Sequence, residues 1–368
     1  MKMRLFLPLF ISLFCRSSVL ADIQSDKDLV IDKISSDIPI AWGMAVLPDG
    51  RILVTERDGR LFSLAANSYS KTEIMGLAND IFAEGQGGLF DVQLSPDYDK
   101  TGWIYFSYAK TIDGEGATTL ARAKLSADSL TDWQDLLVTK SRTSKDVHFG
   151  GRITFDDKGH LFLSVGERGV RENAQNLMTH AGSIIRLNLD GTVPNDNPFV
   201  GREGALPEIW SYGHRNPQGL FYNKQTQQLW EIEHGPRGGD EINLIQAGNN
   251  YGWPEISYGK EYWLPVAVGD GTHRDGMEQP IKTYIPSIAP SSLIQYQGSL
   301  FKDWQGKLLI GALSMQHLNV VTVANNKAVN EDKLLRSLAI RIRNVTELPD
   351  GALLVSTDNG DIYRITPK

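Results

Sequence analysis

Short apolar runs alternate with polar turns along nearly the whole chain. Residues 52–54 (I-L-V), 103–106 (W-I-Y-F), 161–165 (L-F-L-S-V) and 353–355 (L-L-V) are rich in β-branched, branched and aromatic side chains, and each follows a glycine by one or two residues. Such runs suit pleated strands. Long stretches with the 3.6-residue period of an amphipathic helix are scarce.

One phrase returns along the chain: an apolar run, a turn rich in Asp, Gly or Lys, then a second apolar run. Its six copies are M-A-V-L-P-D-G-R-I-L-V-T near Pro48, D-V-Q-L-S-P-D-Y-D-K-T-G-W-I-Y-F near Pro96, I-T-F-D-D-K-G-H-L-F-L-S near Asp156, G-L-F-Y-N-K-Q-T-Q-Q-L-W near Asn223, S-L-F-K-D-W-Q-G-K-L-L-I near Asp303 and V-T-E-L-P-D-G-A-L-L-V-S near Pro349. Six uses of one hairpin-sized unit predict an all-β fold, a six-bladed β-propeller of four-stranded antiparallel sheets. Closing such sheets into a ring protects their edges. A β-sandwich with long loops is the competing arrangement. Insertions between the copies, longest between Asn223 and Asp303, become loops on one face, where function concentrates. No linker or shift in composition divides residues 22–368, which read as one domain.

The first residues bear on where the protein works. Lys2 and Arg4 precede an apolar stretch over 5–14, and Val19-Leu20-Ala21 resembles a small-residue cleavage site. Together they predict a secretory signal over residues 1–21. The stretch is shorter than the roughly 18 residues of a spanning helix, and no later run reaches that length, so no membrane anchor is expected. Cys15 does not mark a lipoprotein, because the bulky Phe14 precedes it. Removing the leader takes away the only cysteine and three cations (Lys2, Arg4, Arg16), moving the formal charge from −7 to −10. An exported chain without cysteine, stabilised by its core, fits a periplasmic or secreted protein. Its acidity argues against nucleic acid and anionic membrane surfaces as partners.

The densest chemistry lies between residues 213 and 254. G-H-R-N-P-Q-G-L (213–220) and E-H-G-P-R-G-G-D-E-I-N-L-I-Q-A-G-N-N-Y-G-W-P (233–254) crowd Gly, Asn, Pro, His, Arg and acids between short apolar runs. Further motifs are E-G-Q-G-G-L (84–89), D-V-H-F-G-G-R-I (146–153), the stretch from A-Q-N-L to N-D-N-P-F (174–199) and R-I-R-N-V (341–345). In this order, and over essentially the whole mature chain, they resemble the soluble glucose/sorbosone dehydrogenase family, most of all its bacterial aldose sugar dehydrogenases. The resemblance implies a six-bladed propeller that uses pyrroloquinoline quinone (PQQ) and calcium to oxidise the anomeric hydroxyl of an aldose to a lactone. Electrons would pass to an external acceptor, such as a small cytochrome or an artificial dye.

Removing a hydride from a sugar carbon requires a base for the hydroxyl proton and an acceptor for the hydride; side chains supply the first and not the second. His148 is the natural base, because a near-neutral imidazole takes a proton at working pH, and it matches the family's catalytic histidine in the H-x-G-G-R context. The other six histidines show no zinc-like spacing. A flat tricarboxylate in an acidic protein calls for local cations. Arg341 and Arg343 alternate on an expected strand and so share a face. The resemblance assigns Gln86, Arg215, Asn216, Tyr262, Arg341 and Arg343 to the quinone, with Arg215 also stabilising charge on the reduced ring. It assigns the carbonyls of Gly235 and Pro236 to a calcium that grips the cofactor, and Glu241 with the Tyr251 carbonyl to a second calcium. Calcium accepts such oxygen ligands, and no EF-hand pattern is present. Tyr262 and Trp263, on the longest insertion, offer a flat face to a sugar. Glu167, in V-G-E-R-G, stands where relatives carry an acid near the active site.

Two departures from the family pattern matter. Val147 replaces an acid found before the catalytic histidine in some relatives, with Asp146 one place earlier, which leaves the orientation of the base unassigned. Ser314 follows Gly311-Ala312-Leu313 where relatives often carry a lysine, so a cation toward the cofactor is missing and Arg274 is the candidate to compensate. Two other readings stay open. One is a calcium-dependent propeller lactonase, whose metal would be held by acids and Asn at the ring centre without a quinone. The other is a non-catalytic propeller that binds quinone or sugar.

Overall fold

The computed structural model describes residues 25–368; the leader expected over 1–21 lies outside them. Six four-stranded antiparallel sheets form the blades of a β-propeller, as the repeated phrase predicts. Their innermost strands are Ala41–Val46, Leu89–Leu94, Ile153–Phe155, Pro217–Asn223, Pro290–Gln295 and Ile342–Glu347, and each touches its neighbours in turn around the axis. The second strands Ile52–Glu56 and Leu353–Thr357 are buried along their whole length, because adjacent blades cover both faces near the axis. This burial explains why they read as unbroken apolar runs rather than alternations. The outermost strand Ser129–Val138, where the blades fan apart, is largely exposed or half-buried.

The fifth copy of the phrase departs from expectation. Its first apolar residues, Leu300 and Phe301, are not a strand: the inner strand ends at Gln295, and a 3-10 turn, Lys302–Trp304, intervenes before Leu308–Ala312. Phe301 stacks on Trp304 with ring centroids 4.1 Å apart, so this apolar pair fills the space between blades five and six. The ring closes through the chain's beginning. Leu29–Ser35 pairs antiparallel with Ile362–Pro367 as the outermost strand of the sixth blade. This pairing covers the edge of Ile362–Pro367 and ties distant parts of the chain into one blade.

Five of the six inner strands share a defect near their first residues. The register slips around Trp42, Phe90-Asp91, Gln218, Ser291 and Arg343. A bulge leaves an extra residue unpaired and re-aims its side chain, and all five lie at the level where the inner strands begin. The candidate site is built at that end of the axis. Among the described residues no helix is long and apolar enough to cross a membrane.

Candidate active site

A cavity of about 250 Å³ sits at this end of the axis, with Gln86, Asn216, Arg341 and Arg343 on its wall. Trp42, Phe90 and Phe149 supply its apolar side, with Trp42 and Phe90 ring centroids 5.3 Å apart. Arg341 precedes the last inner strand and Arg343 occupies its bulge, yet both reach one carboxylate: Asp358 accepts from Arg341 Nε at 2.6 Å and from Arg343 Nε at 2.7 Å. Burial opposes ionisation of Asp358, but the two guanidiniums, Arg343 foremost, hold its carboxyl below the usual range. Both arginines line the cavity, but not by the alternation expected of a strand, since one precedes the strand and the other sits where its register slips; Asp358 is a partner the sequence did not single out.

His148 lies beside Phe149 and Gly150, which line the cavity. Its φ of 53° is left-handed, a conformation costly for a non-glycine residue and one that concentrates at functional sites. Three contacts impose it. The His148 N–H donates to Gln86 Oε1 at 2.9 Å, the Gln86 N–H donates to the Asp146 carbonyl at 2.7 Å, and the His148 carbonyl accepts from Arg168 N–H at 3.3 Å. Gly166 is essential here, because a Cβ on it would fall 2.2 Å from the His148 carbonyl oxygen. Arg168 is fully buried, lies over the Phe149 ring, and donates to the carbonyls of Lys145, at 2.8 Å, and Val147. It therefore clamps the loop that presents the histidine.

The orienting acid for the imidazole is Glu167. Its Oε1 lies 2.9 Å from His148 Nδ1, and its other oxygen accepts from the Gly169 N–H. A carboxylate at Nδ1 selects the Nδ1–H tautomer and leaves the Nε2 lone pair free. Val147 thus costs the site nothing in orientation, since the acid comes from the next loop. Burial holds the His148 pKa below its ordinary value against the pull of Glu167, and Arg215 and Arg168 depress it further. At neutral pH the imidazole is unprotonated.

Arg215 and Asn216 are positioned by Glu233, whose Oε2 accepts from the Arg215 N–H at 2.5 Å and the Asn216 N–H at 3.2 Å. Asn216 Oδ1 accepts from the Gly150 N–H at 3.3 Å, which ties the pair to the histidine loop. The Arg215 guanidinium donates to the His234 carbonyl at 3.1 Å and to Tyr262 Oη at 3.3 Å. Its Nε is buried without a partner. Tyr262 therefore reaches the site through Arg215, whereas Trp263 is 94% exposed and is no part of the cavity. His234 lines the same cavity, and burial with Arg215 nearby pushes its pKa down to about 3. It donates from Nε2 to the Pro290 carbonyl at 2.6 Å and stays neutral.

A second, much smaller void adjoins the first through His234. Gly235, Glu241 and Tyr251 line it together with Glu233. The ring of Pro236 packs on Gly259 instead. Glu233 and Glu241 are cross-strand partners, and Glu231 and Asn243 are the next pair on that face. Glu231 Oε1 and Asn243 Oδ1 are buried and have no hydrogen-bond partner, while His214, Glu231 and Glu233 bring possible ligand atoms within 4.8 Å of one another. Burial, with the charge of Glu233, pushes the carboxyls of Glu231 and Glu241 well up. Orphaned oxygens among crowded acids suit a hard cation.

The structure corrects one expectation about cations. Arg274 is bound by Glu255 at 2.6 Å and Asp270 at 2.8 Å and does not line the cavity. Arg57, unremarked in the sequence, does.

The profile of the glucose/sorbosone dehydrogenases matches residues 37–364. An aldose sugar dehydrogenase of Escherichia coli strain K12 is 39% identical over 369 residues, covering 97% of this chain and 98% of its own. The crystal structure of the soluble aldose sugar dehydrogenase from Escherichia coli in its apo form superposes with a TM-score of 0.89 at 37% identity, covering 92% of this chain and 100% of that one. The PQQ-bound aldose sugar dehydrogenase of Streptomyces coelicolor superposes at 0.76 with 25% identity, covering 94% and 100%. With its six blades and its histidine beside an arginine-lined cavity, the chain belongs to the glucose/sorbosone dehydrogenase family, oxidoreductases that act on the CH–OH groups of sugars.

Proposed function

We propose that the protein oxidises the anomeric hydroxyl of aldoses to lactones with bound PQQ and calcium. The observation that carries this is the free Nε2 of His148, fixed by Glu167, next to a cavity whose polar wall holds three arginines and three amides against the single carboxylate of Asp358. The donor set suits a flat polyanion: Arg341 and Arg343 share one counter-ion, and the buried Arg215 Nε lacks a partner. PQQ, when bound, supplies the two-electron acceptor that side chains lack. His148 Nε2 takes the sugar's hydroxyl proton as the carbon gives up its hydride, and Glu167 stabilises the imidazolium so formed. Arg215 offsets negative charge developing in the cavity, and the aromatic side excludes water. Gln86, Asn216 and Tyr262, with Arg341 and Arg343, are the residues that would hold the quinone.

For calcium, the Gly235 and Pro236 carbonyls accept no hydrogen bond among the described residues and would hold the ion beside the quinone. Glu241 and the Tyr251 carbonyl, with the orphaned oxygens of Glu231 and Asn243, would hold the second. Calcium bound there would supply Lewis acidity to the site. Export after loss of residues 1–21, action in the periplasm, and an external acceptor such as a small cytochrome complete the proposal. The cationic axial cavity disfavours the lactonase reading, which needs acids at the ring centre.

Purified apoprotein given PQQ and calcium should reduce a dye with one or more aldoses from a panel, and should fail when quinone is withheld. Quinone binding without turnover on any aldose would leave only a binding propeller. Calcium at about a thousand times its Kd should add about 4 kcal/mol of stability, seen as a melting temperature that falls when a chelator is added. Identical melts with calcium and with chelator would remove the metal from the proposal.

The histidine makes a pH prediction. Its folded pKa lies below the ordinary imidazole value of 6.5, so the acid limb of kcat/KM should fall below pH 6.5, with a plateau at neutrality. Glu167 raises that pKa, so Glu167→Gln should shift the limb to still lower pH. The same substitution should cut kcat by about tenfold to a hundredfold by weakening the choice of tautomer. A limb that moves upward in the variant would contradict the assigned pair.

A further inference from the structure

We infer that Arg57 is a cofactor-binding cation of this site, filling the electrostatic role left open by Ser314; the inference rests on the quinone reading above. Arg57 follows the strand Ile52–Glu56, and its backbone is held between two blades. Its N–H donates to the Ile40 carbonyl at 3.2 Å, and its carbonyl accepts from Leu89 N–H at 2.8 Å. Gly88 packs so closely on that carbonyl that a Cβ would fall 2.0 Å from it. The guanidinium donates from Nη1 to the Gly85 carbonyl at 3.1 Å, next to Gln86, and lines the cavity with Asn216, Arg341 and Arg343.

Charge balance makes this position significant. Arg341 and Arg343 share Asp358, which leaves one net positive charge from those three groups. His234 is neutral, and Arg152 beneath the cavity is paired with Asp91. Arg215 adds a second positive charge from the adjoining void, and a tricarboxylate needs more. Ser314 is exposed, and only the preceding Leu313 reaches the cavity wall. Among the described residues the acid paired with Arg57 is Asp58, at 3.2 Å with its side chain 62% exposed. Such a pair is weak and screened, so the Arg57 charge is available to a carboxylate in the cavity.

The test is a direct titration of calcium-loaded apoprotein with PQQ, read by quenching of tryptophan fluorescence. Arg57→Gln should raise Kd by about tenfold to a hundredfold and flatten the dependence of Kd on salt. Arg57→Lys should keep most of the affinity, and Arg274→Gln should match the unsubstituted protein. Wild-type Kd in Arg57→Gln overturns the inference. So does an unchanged Kd with a lowered kcat at saturating quinone, which would make Arg57 a brace for Gly85, Gln86 and hence His148. Failure of the unsubstituted protein to bind quinone would be seen first, in the control titration, and would sink the functional reading together with this one.

Discussion

Replacing His148 with alanine lowers kcat for aldose-dependent dye reduction by about a thousandfold, the middle of the range for loss of a general base. The size of the effect follows from geometry. Nδ1 is committed to Glu167, so Nε2 alone can take the hydroxyl proton, and His234, the histidine that lines the cavity, already donates its Nε2–H to a carbonyl. Quinone affinity changes little in the variant, because Gln86 is held by the His148 backbone N–H and not by the imidazole. The left-handed backbone is strained for both residues, so stability changes by less than about 1 kcal/mol. Kinetics are therefore to be measured beside quinone titration and thermal melting on the same sample. The acid limb of the pH profile disappears with the imidazole, and added imidazole restores part of the rate. A variant that retains a tenth of wild-type turnover with normal quinone binding removes His148 from the role of base.

The fold was legible because a hairpin between buried strands leaves a local mark. Apolar runs around Asp49-Gly50 or Asp350-Gly351 encode two strands and a turn in about a dozen residues, whatever the rest of the chain does. Ring closure left no such mark: Leu29–Ser35 finds its partner at Ile362–Pro367, more than three hundred positions away, and its half-buried pattern is ordinary. The fifth copy misled because Phe301 and Trp304 are apolar for packing between blades, not for pairing. At the site, the motif residues with unusual composition were visible, and Arg341, Arg343 and Asn216 do meet at one cavity with Gln86. Their supports were not. Asp358 sits in a commonplace turn, while Glu233 and Arg168 lie inside quoted motifs without a role of their own, and the importance of all three arises from partners brought together by the ring. Glu167 was marked only by the resemblance until the structure set it 2.9 Å from the imidazole. The bulges were likewise hidden, since a period of two says nothing about where it slips.

Those bulges set up a large expected effect on stability. Arg152, the last residue of the H-x-G-G-R context, is buried at the axis and donates to Gln218 O at 3.0 Å, Ser291 O at 2.9 Å and Asp91 Oδ1 at 3.3 Å, with its guanidinium 3.9 Å from the Trp42 ring centroid. All four partners are bulge residues, from the second, fourth, fifth and first blades, so one side chain of the third blade joins five of the six. Asp91 is fully buried, and burial pushes its carboxyl up even against the pull of Arg152. Arg152→Met strands that carboxylate and two carbonyls, and destabilises the apoprotein by about 3–5 kcal/mol in denaturant unfolding. Removing the charge as well should recover part of the loss: Arg152→Met with Asp91→Asn should be more stable than the sum of the two single changes by about 1 kcal/mol or more. Strict additivity would mean that the pair does not couple the blades. Because Trp42 forms one wall of the axial cavity and rests on Arg152, the single variant should also bind PQQ more weakly while His148 and Glu167 remain in place. The ion pair below the site thus holds together the ring on which the chemistry above it depends.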